Sequence, residues 1–66
     1  MSTLGDDYPV QQARVRELIA TYRTLGPSCA FAIAMCEATL RQADEAAMSG
    51  DLARMIQAYQ EMKECE

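Results

Sequence analysis

A helix that is apolar on two sides cannot be satisfied by one neighbour, and the stretch from Ser28 to Met48 reads as such a helix. Cys29, Ala30, Phe31, Ala32, Ile33, Ala34, Met35 and Cys36 form an unbroken apolar run. At about 3.6 residues per turn, Cys29, Ala32, Ile33, Cys36, Leu40, Ala43 and Ala47 share one face. Phe31, Met35, Ala38 and Ala46 lie roughly opposite. One flank can pack on the rest of the chain. The other calls for a second polypeptide.

Chain length sharpens that demand. The 66 residues make one domain. A chain of this size buries only about 60% of its unfolded surface, so a single core is marginal. Disulfides, a metal or self-association commonly make up the difference. The three cysteines are an odd number, and Met1 to Asp7 carry neither a basic n-region nor an apolar h-region. A cytoplasmic location with free, buried thiols is therefore expected. Cys29 and Cys36 stand seven apart on one helix face, unlike a CxxC pair, and the chain has no histidine. No metal and no cofactor are expected, which leaves a homodimer as the route to extra burial.

The net charge of −4 argues against nucleic acid and against an anionic membrane surface. The longest apolar run has eight residues, far short of the roughly 20 that span a bilayer.

The elements read as an all-α short helical bundle. Residues 1–8 are polar, contain Gly5 and suggest a flexible tail before a single helical domain over 9–66. Pro9 suits a first helical turn, and Val15, Leu18, Ile19, Tyr22 and Leu25 fall on one stripe, so helix one is expected over about 9–25. Gly26 can end it, Pro27 blocks continuation and Ser28 can cap helix two, expected over about 28–48. Gly50 and Asp51 stop that helix and start a third, over about 51–65. Its stripe is Leu52, Met55, Ile56, Tyr59 and Met62. The short break favours an antiparallel hairpin of helices two and three, with helix one across it or across that of a second subunit. Core or self-interface positions are then Leu18, Ile19, Tyr22, Ile33, Leu40, Leu52, Ile56 and Tyr59.

Little here resembles a catalytic site. There is no histidine, no Gly-rich phosphate loop and no nucleophile beside a base. Asp44 and Glu45 are adjacent and splay by about 100° on a helix, so they do not converge. No catalytic residue is assigned, and the chain is read as a non-enzyme. The Cys29/Cys36 pair reads as buried structure, with Cys65 exposed or frayed near the terminus. Glu37 and Arg41 suggest an i,i+4 pair on a solvated face, and Arg16 and Arg23 share a polar face on helix one.

Ala46, Gly50, Ile56 and Tyr59 fall near helix-turn-helix spacing. Glu45 and Asp51 occupy positions that motif keeps apolar, and the supposed recognition helix ends among acids. DNA regulation stands only as a third reading.

The Leu25-Gly26-Pro27-Ser28 junction and the segment Ser49-Gly50-Asp51-Leu52-Ala53-Arg54-Met55-Ile56-Gln57-Ala58-Tyr59 cover about a third of the chain. In these segments the chain resembles small all-helical accessory proteins of phages and mobile elements. That resemblance implies an inhibitor or anti-activator that docks on a host protein, including transcription activators such as quorum-sensing regulators. It assigns no functional residue.

The expected function is a noncatalytic protein-binding module. Its contact patch centres on Phe31 and Met35, with Ala38, and is rimmed by Arg41, Gln42 and Glu45. It would occlude a surface its partner needs. The alternative is a structural or assembly homo-oligomer in which the same patch is buried between copies.

Overall fold

The computed structural model describes residues 3–66. Thr3 has extended backbone, and its hydroxyl accepts a hydrogen bond from the Asp6 amide (3.2 Å). Asp6 and Asp7 put negative charge in the first turn, where the helix dipole favours it. Helix α1 therefore spans Leu4–Leu25, starting at Leu4 and not at Pro9. Residues 4–8 are helix where a tail is expected from sequence; Met1 and Ser2 of that tail lie outside the described residues. Pro9 stands inside the helix and lacks the N–H that would reach back to the Gly5 carbonyl. Gly5 is exposed, so water can serve that carbonyl.

Gly26 ends α1 with φ 99° and ψ −169°, a backbone region essentially confined to glycine. A 3-10 turn, Pro27–Cys29, follows, with the Cys29 amide donating to the Gly26 carbonyl (3.2 Å). Helix α2 spans Ala30–Ser49. Ser28 does not cap it. The 3-10 turn takes the capping position, and Cys29 precedes α2 without a side-chain cap. Gly50 closes α2 in the left-handed conformation, φ 72° and ψ 7°. Asp51 then caps α3, Leu52–Glu64, its carboxylate accepting from the amides of Ala53 (3.0 Å) and Arg54 (3.4 Å). The described residues are α-helical with short connections and contain no strand.

Each helix contributes to one core. Tyr8, Val15 and Ile19 come from α1, Cys36, Ala43 and Ala46 from α2, and Ala58 and Met62 from α3. Leu18, Tyr22, Ile33, Leu40 and Tyr59 pack half-buried around it. Leu52 and Ile56 do not join them, being 60% and 43% exposed. The alanines of α2 explain the difference. Ala43 and Ala46 let α3 come close, so its small Ala58 takes the line of approach, with Met55 and Met62 along the same face. That choice turns Leu52 and Ile56 to the edge.

Tyr8 is the clearest tertiary anchor. It is 3% exposed, and its hydroxyl donates to the Ala43 carbonyl (2.6 Å). Its ring stacks with Tyr59 at 6.5 Å between centroids, and the Tyr59 hydroxyl donates to Asp7. Polar seams run beside the core. Gln12 donates to Asp44 (2.8 Å), Arg16 lies 3.4 Å from the same carboxylate, and Arg23 pairs with Glu37 (2.6 Å). Glu37 thus pairs across helices with Arg23, in place of the expected Arg41.

Candidate protein-docking groove

The seam between α2 and α3 opens on its outer side into a groove of about 580 Å³. The early turns of α2 supply Phe31, Ala32, Met35, Cys36 and Thr39. The end of α3 and the residues after it supply Glu61, Glu64, Cys65 and Glu66. Phe31, the single phenylalanine of the chain, is 78% exposed, and Met35 is 55% exposed. The helix wheel explains this placement. Met35 falls about 20° and Phe31 about 60° from Ala46, which is buried at 1% exposure and not left opposite the core face as the spacing suggests, so both border the α3 seam.

The other expected contact residues divide. Gln42 lines a smaller groove of about 320 Å³ farther along the same seam, with Ala46, Arg54, Gln57, Ala58 and Glu61. Ala38, Arg41 and Glu45 are exposed on α2 but line neither groove. The rim expected from Arg41 and Glu45 is thus replaced by a wall from α3. Glu61 and Glu64 stand three apart on that helix, both exposed and off its apolar stripe. Their signal was present in the i,i+3 spacing, but it needs the α2/α3 pairing to become a wall.

Arg14 fixes that wall. Its guanidinium reaches from α1 to the carbonyls of Met62 and Cys65 (2.9 Å to Cys65), and its Nε donates to Gln11 (2.9 Å). The last carbonyls of a helix lack i+4 amide donors; that of Met62 already accepts from the Cys65 amide (3.1 Å), so the fork adds a second donor there and supplies one to the Cys65 carbonyl. Nothing in the sequence marks Arg14 for the role, because its partners lie about fifty residues away. Lys63 leaves the groove wall, its ammonium lying 5.3 Å from the Tyr59 ring centroid.

The thiols show a further departure. Cys65 is half-buried, where sequence suggests an exposed or frayed position, and Cys36 is its neighbour. Burial, aided by the Cys36 thiol, pushes Cys65 up to about 11 while Arg14 pulls the other way. Cys65 therefore stays protonated near neutral pH, and a thiol in that form is a poor nucleophile. Among the described residues there is no group of three or more Cys, Asp or Glu side chains placed to hold a metal ion. No described helix is long and apolar enough to cross a membrane.

The helix-turn-helix positions carry charge that opposes phosphate. The N-terminus of α3 is already occupied by the Asp51 carboxylate. Of the six basic residues, Arg14, Arg16, Arg23 and Lys63 are engaged within the chain, while Arg41 and Arg54 are exposed. What the groove presents is an apolar floor beside a row of carboxylates. Comparison with protein-family models, with curated proteins and with solved structures gives no match, so the groove itself is what speaks for function.

Proposed function

We propose that this chain is a noncatalytic protein-binding module that inhibits by occlusion, seating part of a partner protein on the Phe31/Met35 groove. The exposure of Phe31 carries the reading. An aromatic ring 78% open to water, beside a half-open methionine and a groove, adds nothing to the core of its own chain. Such rings are enriched where two proteins meet. The resemblance to small phage and mobile-element proteins supports a regulatory target, with the host transcription machinery as the first place to look. The α2–α3 hairpin is the platform, and the cytoplasm is the proposed setting.

A second reading, a structural homo-oligomer, is favoured by a different observation. Met48, Leu52 and Ile56 are exposed at 87%, 60% and 43%. Together they form a second apolar set around the α2–α3 turn, away from Phe31. We assign the proposed homodimer to that set and the partner to the groove.

Phe31→Asp separates the two. The variant should keep its circular dichroism and its sedimentation coefficient, yet lose capture of whatever protein the parent retains from a host lysate. Dissociation of an oligomer by Phe31→Asp would assign the groove to self-association. Unchanged capture with an unchanged oligomer would reject the groove as a docking site.

A further inference from the structure

We infer that the occupant of the Phe31/Met35 groove is a cationic amphipathic helix, one that places an apolar side chain against Phe31 and Met35 and lysines or arginines against Glu61, Glu64 and Glu66. This deepens the docking reading and rests on it. The argument is charge complementarity. Three carboxylates and no basic side chain line the groove. The nearest lysine in sequence, Lys63, sits over Tyr59, and Arg14 is held by main-chain carbonyls. The acidic wall therefore meets the solvent without an internal counter-ion among the groove-lining residues. A partner with opposite charge gains from steering and from pairing at the rim, while an acidic one is repelled. A second copy pairing groove to groove is a poor occupant, since it would set one row of carboxylates against another. An anionic lipid surface is repelled for the same reason. The groove runs along two helices, and its apolar floor spans Phe31 to Met35, one helical turn. A helix offering apolar anchors at i, i+3 and i+4 matches that span.

The test uses the full chain and two synthetic helical peptides with the same leucine anchors, one bearing lysines on its polar face and one bearing glutamates. Binding is read by fluorescence anisotropy and by amide chemical shifts. The lysine peptide should bind, move the signals of Phe31, Met35 and Glu64, and weaken as salt rises. Glu61→Lys with Glu64→Lys should weaken it about ten-fold or more, since two attractive rim contacts become repulsive. Phe31→Asp should also abolish binding. That variant adds a negative charge, so adsorption by charge alone would instead strengthen. Equal binding of both peptides, lost in Phe31→Asp, overturns the charge inference and leaves the docking groove standing. Binding that survives Phe31→Asp, or no binding by the lysine peptide, also overturns the inference. In the last case the docking reading is still judged separately by the lysate capture.

Discussion

Tyr8 holds the first turns of α1 to α2 through both halves of its side chain. The ring is buried against the core, and the hydroxyl reaches the carbonyl of Ala43, inside α2. Burial raises its pKa, with Asp44 adding to the effect, so the hydroxyl stays protonated and able to donate. Two substitutions separate the contributions. Tyr8→Phe keeps the ring and leaves the Ala43 carbonyl its place in the helix ladder, so it should cost about 0.5–1.5 kcal/mol. Tyr8→Ala empties the site and should cost about 3–5 kcal/mol, as large aromatic truncations do. Urea denaturation followed by circular dichroism measures both. Near-parental stability of Tyr8→Ala would show that the N-terminal turns contribute little. In a domain of this size a loss at the upper end removes most of the folding free energy.

At the scale of the element, the two junctions differ in how strictly they need glycine. Gly26 occupies a region other residues rarely enter, whereas Gly50 sits in the left-handed region that asparagine tolerates. Neither position is crowded, since a side-chain carbon added at either would meet no atom within 4 Å. Any cost is therefore conformational. Gly26→Ala should lose about 1–3 kcal/mol and Gly50→Asn well under about 1 kcal/mol, with thermal melts showing the order. The reverse order would mean that the Leu25–Pro27 turn relaxes freely.

These junctions were legible in the sequence because Gly-Pro and Gly-Asp punctuation is local. The start of α1 was legible too, in the Thr3-x-x-Asp6 spacing, but Pro9 is the louder signal and sets the expected start five residues late. Which side of α3 is buried was harder to read. Its stripe contains both Ile56 and Met62, and only the alanines of α2 decide that Ala58 and Met62 go inward. The two-sided character of α2 was plain in the run from Cys29 to Cys36. The acidic wall facing it was not, since it arises from a pairing of distant segments.

The whole molecule is more extended than its length requires. Its radius of gyration is 12.2 Å, against about 11 Å for a compact chain of this length. Its extents of 35 × 23 × 16 Å describe a slab, and a slab of three helices has broad faces and a thin core. This is the shape for which association adds most. The proposed homodimer through Met48, Leu52 and Ile56 should make the melting temperature rise with protein concentration, and Ile56→Glu should flatten that rise. A melting temperature constant over about a hundred-fold dilution, with sedimentation as a monomer, would remove the dimer.

Arg14 grips the far end of α3 by its backbone carbonyls, and so it is indifferent to the side chains that helix displays. The frame is thereby uncoupled from the message it carries. Under the proposed docking role, surface codons at 61, 64 and 66 would be free to drift and retune the partner while three packed rods keep their places.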